Sequence, residues 1–373
     1  MKWMVPKNKL SANQIDIADS IVQGSTERHW VSGYAGSGKT VVITHSINEL
    51  ATRFPTHSIG FLTYTHALKD MVQSGLSPKV ANRVSIETLD SFYLHPKKFD
   101  HLFIDEIQDV EQRHLPKILA ASKHLVVAGD PDQSIYRDRL DAIGLRKALG
   151  VHNRYMLHEV YRFSKNTLEI AKSVYPEAEL SSGARLRQSN SVDATLSEYR
   201  TEGQEITAVW EAARDAAAAE LPSAVLFPQH KLIHQFARIV ADVEGQSAPP
   251  IPTKTAGVPG QSFDYTAFNQ FFESTRVPLR FLGSRYGSFE ESDSKSIVYC
   301  LTYHSAKGLD FQNTFLPFLN SSTRIKENYE PEDLGARKFL VAVTRARYQQ
   351  NFSYSGRMHP ALAAIPRRLF KVK

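Results

Sequence analysis

The stretch Gly33-Tyr34-Ala35-Gly36-Ser37-Gly38-Lys39-Thr40 fits the pattern G-x-x-x-x-G-K-[ST]. It follows an apolar, β-favouring run, His29–Ser32, and opens an amphipathic stretch, Thr40–Arg53. That context demands a buried strand, a tight glycine turn and a helix whose first amide groups point into the turn. Glycines let backbone N–H groups wrap a phosphate, so Gly33, Ala35, Gly36, Ser37 and Gly38 are candidate nucleotide-binding positions. Lys39 is expected to reach the β- and γ-phosphates of ATP, and Thr40 to hold Mg²⁺.

The same alternation continues through the first half. Strand-like runs at Ser58–Tyr64, Arg83–Ile86, His101–Asp105 and His124–Gly129 are separated by helical patterns such as Ser11–Val22 and His66–Gln73. The second half repeats the style. Strands are expected over Ala194–Tyr199, Ala224–Phe227, Leu279–Leu282, Ile297–Tyr303, Thr314–Pro317 and Asn351–Tyr354, and helices over 165–176, 203–219, 230–243 and 333–347. The Pro/Gly-rich stretch 247–262 reads as a loop. Short strands alternating with helices predict an α/β fold built on parallel sheets.

Length and composition set limits on this. A chain of 373 residues can bury two cores. Its composition, 42% hydrophobic and 23% charged, is that of a soluble globular protein. The single cysteine, Cys300, excludes a disulfide framework and suits a cytoplasmic home. No apolar run approaches a membrane span, so no membrane partner is expected. A net charge of +6 leans toward a polyanionic partner.

His101–Ile104 is a buried run ending in Asp105-Glu106. A carboxylate at a strand end beside a phosphate loop suits Mg²⁺, which Asp105 would hold, while Glu106 would polarise a water for in-line attack. The run Leu125–Ala128 likewise stops at Gly129 and enters Asp130-Pro131-Asp132-Gln133-Ser134-Ile135-Tyr136.

Asp105-Glu106-Ile107-Gln108-Asp109 and Gly129–Tyr136 together resemble superfamily 1 helicases of the UvrD/Rep type. The likeness runs from Gln14 to Ala346 with the motifs in family order. It implies two RecA-like domains in tandem, 1–155 and 156–373, with ATP between them. It implies that Gln14 reads adenine and Tyr161 stacks on it. Gln133 would sit near the γ-phosphate or the attacking water. Arg162 and Arg345, in Leu157–Arg162 and Val341–Ala346, would be the arginine fingers. Gly308 and Asp310, in Thr302–Phe311, would lie at the nucleotide, with Asp310 accepting a ribose hydroxyl bond. Thr63, Tyr64, His66, Tyr136, Arg139, Thr302 and His304 would line a single-strand track. The implied activity is ATP-driven movement on single-stranded DNA, 3′→5′, with RNA an open alternative.

The chain also departs from that pattern. Asp138 stands where relatives carry Trp, Thr88-Leu89-Asp90-Ser91 replaces Thr-x-His-Ser, and Val41 replaces a residue that is often basic. Only residues 93–104 separate Phe92 from Asp105, where relatives carry a helical insertion, and 231–301 leave little space for a second one. The competing expectation is therefore an ATPase subunit gated by nucleic acid that regulates a protein partner such as a nuclease. A small-molecule P-loop kinase accounts for the loop and its carboxylates but not for Gly129–Tyr136, His304–Phe311 or Val341–Ala346.

Overall fold

The computed structural model describes residues 3–24, 28–135, 140–150, 153–162, 164–178, 184–187, 192–254, 263–283, 286–326 and 332–372. The described chain divides into two compact units: 3–162 with 184–187, and 164–178 with 192–372.

The first unit is built on a 6-stranded sheet. Its strands are β1 (Arg28–Gly33), β2 (Ile59–Thr63), β3 (Val84–Thr88), β4 (His101–Ile104), β5 (His124–Gly129) and β6 (Asn153–Leu157), in spatial order β3-β2-β4-β5-β1-β6. Every pairing is parallel. The sheet is buried on both faces, and the two-residue period of a strand decides which face each side chain enters. Val31, Phe61, Phe103 and Val126 join one core, with Ile17 and Ile21 of α1 (Ala12–Gln23) and Val42 and Ile47 of α2 (Lys39–Arg53). Their chain neighbours Trp30, Leu62, Leu102, Leu125 and Val127 join the other, with Phe92 of α4 (Leu89–Leu94) and Ile118 of α5 (Leu115–Ala121). α3 (His66–Gly75) follows β2, and α6 (Ala142–Leu149) precedes β6. Because the strands are parallel, Gly33, Thr63, Asp105 and Gly129 all lie at the carboxyl edge of the sheet, where open α/β sheets present their ligand sites.

Residues 159–160 form β7 (Glu159–Val160), which pairs in parallel with β8 (Arg185–Leu186) and completes the first unit. The boundary expected at 155/156 falls inside β6. The contacts keep the chain through Arg162 with the glycine loop, because Tyr161 N–H donates to the Gly36 carbonyl at 3.0 Å.

The second unit holds a 7-stranded parallel sheet. Its strands are β9 (Asp193–Tyr199), β10 (Ser223–Phe227), β13 (Leu279–Phe281), β14 (Val298–Thr302), β15 (Phe311–Leu316), β16 (Ala346–Ser355) and β17 (Lys371–Val372). A separate antiparallel pair, β11 (Thr253–Lys254) and β12 (Phe263–Asp264), lies between β10 and β13 in the chain. The sheet order is β13-β14-β10-β15-β16-β9-β17. Helices α7 (Lys165–Val174), α8 (Glu202–Ala216), α9 (His230–Val243), α10 (Thr266–Ser274) and α11 (Glu332–Val343) accompany it. Trp210, Phe227, Phe236, Phe268 and Phe272 fill one core, and Tyr265 stacks on Phe281 with ring centroids 3.4 Å apart.

The expected α/β class is what the structure shows, with three local corrections. The helix expected over 333–347 ends at Val343, because the Thr344 hydroxyl bonds back to the carbonyls of Leu340 and Val341 and the chain then enters β16 at Ala346. β6 has no counterpart in the sequence prediction. Within the stretch expected to be a loop, Thr253–Lys254 forms β11, while 255–262 lie outside the described residues.

Candidate active site and nucleic-acid interface

β1 delivers the chain into the loop at Gly33, and α2 begins at Lys39. Gly36 and Gly38 have φ of 72° and 87°, the left-handed region that side chains rarely adopt. A Cβ on Gly36 would stand 2.4 Å from the Cβ of Arg162, and one on Gly38 would stand 2.5 Å from Nε2 of Gln14. These two glycines therefore do more than turn the chain. They admit Gln14 and Arg162, which the resemblance puts at the two ends of a nucleotide.

Lys39 is buried, and its ammonium donates to the carbonyls of Gly33 at 2.7 Å and Tyr34 at 3.2 Å. The Thr40 hydroxyl donates to Asp105 Oδ2 at 2.6 Å. The Asp105 carboxyl is pushed up from the ordinary carboxylate range by burial and by the adjacent Glu106 charge, against the opposing pull of Thr40 and Lys39. Two buried acids side by side at a glycine loop suit a divalent cation that shares their charge. The donor set of Thr40 and Asp105 thus fits Mg²⁺.

Glu106 has a left-handed backbone (φ 57°, ψ 45°), a conformation that costs a non-glycine residue about 1–2 kcal/mol. Its N–H donates to Asp105 Oδ1 at 2.9 Å and its carbonyl accepts the Asp109 N–H at 3.0 Å, while Gln108 aims the carboxylate. The Gln108 amide donates to Glu106 Oε2 at 2.5 Å, and its oxygen accepts the Asp130 N–H at 3.1 Å. Gly129 makes this possible, since a Cβ there would lie 2.1 Å from Gln108 Oε1. Gln133, buried, donates to Asp130 Oδ2 at 2.6 Å. A chain of hydrogen bonds therefore runs from Glu106 through Gln108 and Asp130 to Gln133. Gln108 carries no role in the sequence prediction. The signal available was its place two residues after Glu106.

At the other end of the loop, Gln14 donates from Nε2 to the Ser37 carbonyl at 3.1 Å. It also completes a capping box with Ser11 at the start of α1, a motif that satisfies two orphan donors. Tyr161 is 37% exposed, and its hydroxyl donates to Glu159 Oε2 at 2.5 Å.

Of the expected track residues, Thr63 is fully buried at the end of β2, and Tyr64 and His66 are half-buried at the turn into α3. Tyr136 and Arg139, with Asp138, lie outside the described residues. The second unit carries the others. Thr302 is buried and its hydroxyl engages the Ser305 N–H and hydroxyl, closing the turn that presents half-buried His304. Gly308 has φ of 77°. Asp310 pairs with Arg347. Arg345 is 1% exposed and donates to the carbonyls of Val341 and Leu309 and to the Thr344 hydroxyl. The structure thus gathers Gln14, Gly33–Thr40, Asp105, Glu106, Gln133, Tyr161 and Arg162 in the first unit, while Thr302, His304, Gly308, Asp310 and Arg345 belong to the second.

Residues 19–139 match the family model of an AAA domain, which covers less than half of the chain. A curated protein of Acanthamoeba polyphaga mimivirus, "Putative ATP-dependent DNA helicase", is 25% identical over 264 residues, 67% of this chain and 34% of that protein. The chain therefore spans about a third of that relative's length. Among solved structures, the PRRSV helicase is 14% identical with a TM-score of 0.45, over 92% of this chain and 54% of that one. Arterivirus nonstructural protein 10, a helicase, is 15% identical with a TM-score of 0.39, over 90% and 61%. The stretch matched by the AAA-domain model includes the glycine loop, Asp105, Glu106 and Gln133.

Proposed function

We propose that the chain is an ATP-driven motor that moves 3′→5′ along single-stranded DNA. The observation that carries the ATPase is the 2.6 Å bond between the Thr40 hydroxyl and the Asp105 carboxylate at the mouth of the glycine loop, with Glu106 beside it. In this reading Lys39 and the loop amides bind the phosphates of ATP, Thr40 and Asp105 hold Mg²⁺, and Glu106 orients the attacking water. Gln133 couples to Glu106 through Gln108 and Asp130. Gln14 and Tyr161 take the adenine, Gly308 and Asp310 the sugar side, and Arg162 and Arg345 the charge that spreads over the phosphoryl oxygens. Thr63, Tyr64, His66, Tyr136, Arg139, Thr302 and His304 form the track. The mimivirus relative, by its name a DNA helicase, supports DNA as the strand.

The test is ATP turnover by the full chain with Mg²⁺, alone and with oligo-dT or oligo-rU. Stimulation by oligo-dT, lost in Lys39→Ala, is expected. Turnover indifferent to both strands overturns the motor, and greater stimulation by oligo-rU moves the substrate to RNA.

A further inference from the structure

Tyr161 is held at its backbone and at its phenol oxygen. Its own N–H holds the Gly36 carbonyl at 3.0 Å. Its hydroxyl donates to Glu159 Oε2 at 2.5 Å, and the Ser11 side chain lies within bonding reach of the same phenol. Glu159 is held in turn, because Arg187 Nη2 donates to its Oε1 at 2.7 Å. Arg187 arrives by the backbone. β8 pairs with β7, with Arg185 N–H on the His158 carbonyl at 2.8 Å and Arg187 N–H on the Val160 carbonyl at 3.0 Å. The chain leaves the first unit after Arg162 and returns to it for this short segment.

We propose that Glu159 and Arg187 are positioning residues for the nucleobase: they hold Tyr161 in place as a ready platform for the adenine of ATP. The inference rests on the reading of the glycine loop as an ATP site and adds to it two residues to which neither a motif nor a comparison gives a role. An exposed tyrosine otherwise turns freely about its side-chain bonds, and ordering it on binding costs affinity. A carboxylate accepting from the phenol removes that freedom in advance. Arg187 keeps the carboxylate charged and aimed, and both of its partners hold Glu159 below the usual glutamate range. A staple for stability is the plainer explanation. Against it, the Arg187 side chain is 60% exposed, and ion pairs in such settings add little stability.

The experiment measures kcat and KM for ATP on the full chain, inhibition by inorganic tripolyphosphate, and thermal unfolding. In Glu159→Ala the KM for ATP is expected to rise by about three- to tenfold while kcat changes by less than about twofold, because the base and not the γ-phosphate is affected. Inhibition by tripolyphosphate, which has no base, stays at the wild-type level. Glu159→Gln, which keeps an acceptor for the phenol, recovers most of the loss, and Arg187→Ala reproduces part of it. The double variant Glu159→Ala/Tyr161→Phe is no worse than Tyr161→Phe alone. Should Glu159→Ala fail to fold, Arg187→Ala and Tyr161→Phe carry the same comparison. A KM unchanged in these variants, a KM rise matched by an equal loss of tripolyphosphate inhibition, or additive effects in the double variant overturn the inference. Turnover abolished by Lys39→Ala alongside an unchanged KM in Glu159→Ala rejects the positioning role and leaves the ATPase. Absence of ATP turnover in the wild-type chain rejects both.

Discussion

Glu106 stands in strained backbone, and the Gln108 amide bonds the end of its side chain. Replacing Glu106 by Gln keeps the size and the fold but removes the charge that orients water. Nucleotide binding is expected to persist while kcat falls by about 10²–10⁴-fold, the usual contribution of a general base. Equilibrium titration with ADP beside a turnover assay checks both halves. Gln108→Ala leaves the buried Asp130 N–H without its acceptor, a loss of about 1–3 kcal/mol, and releases Glu106 as well. Both a lower melting temperature and a lower kcat are expected, and a wild-type kcat in a destabilised protein rejects Gln108 as the holder of Glu106. Lys39, Thr40 and Asp105 were legible in the sequence because each is fixed by its immediate neighbours in the chain. Gln108 was not, since its distant partner Asp130 comes from the turn after β5, and only the β4–β5 pairing makes the two adjacent.

Among the elements, those with continuous burial were legible and those without were not. β2 and β4 are buried at every position and stand out as apolar runs. β6 lies at the edge of its sheet with Leu157 its one fully buried residue, so Asn153–Leu157 shows no apolar run to read. Glycines separate in the same way by their surroundings. Gly36→Ala places a Cβ against Arg162 at a left-handed φ and is expected to destabilise the first unit by at least about 1–2 kcal/mol. Gly203, near the start of α8, has nothing within 4 Å of a built Cβ, so Gly203→Ala is expected to add up to about 1 kcal/mol. Urea unfolding of the two variants tests the contrast in sign. The amino ends of β1, β4 and β5 carry His29, His101 and His124, and His57 joins them through His101 at 2.9 Å. Rings of His101 and His124 lie 4.5 Å apart. Burial and the neighbouring imidazoles push His124 down to about 4 from 6.5, and burial pushes His230 of the second unit equally low. The unfolded chain therefore takes up these protons first as pH falls. The stability that these neutral histidines contribute is full above about 6.5 and is lost as pH falls from there toward about 4. Thermal melts across that window check it, with His124→Phe expected to give the flatter profile.

For the molecule as a whole, the sequence made two α/β units legible through repeated strand–helix alternation, but not the excursion that returns 184–187 to the first unit. Two-residue strands such as β8 leave no period to detect. The strongest functional consequence also lies at this scale. Motion along one strand requires alternate grips on a backbone, and phosphate contacts supply grip without sequence preference. Separating a duplex also requires a surface that engages the junction ahead. The resemblance puts such a surface in two insertions. In this chain α4 ends at Leu94 and β4 begins at His101, while the stretch between α9 and β14 is spent on β11, β12, α10 and β13, the last of them an edge strand of the second sheet. Neither place holds a further helical domain among the described residues. By the resemblance, Asp138 stands in the sequence where relatives carry Trp, and a lost stacking contact weakens grip on a base by about 1–3 kcal/mol. We therefore expect this chain alone to hydrolyse ATP on single strands yet to unwind a long duplex poorly. Its binding to single strands is expected to weaken steeply with salt, through counterion release. Asp138→Trp is expected to tighten that binding. The decisive measurement is single-turnover unwinding of a tailed duplex by the purified chain, in parallel with displacement of streptavidin from a biotinylated single strand. Displacement with little unwinding is the expected pair of results, and efficient processive unwinding of a long duplex by the chain alone rejects the idea that it lacks the separating surface.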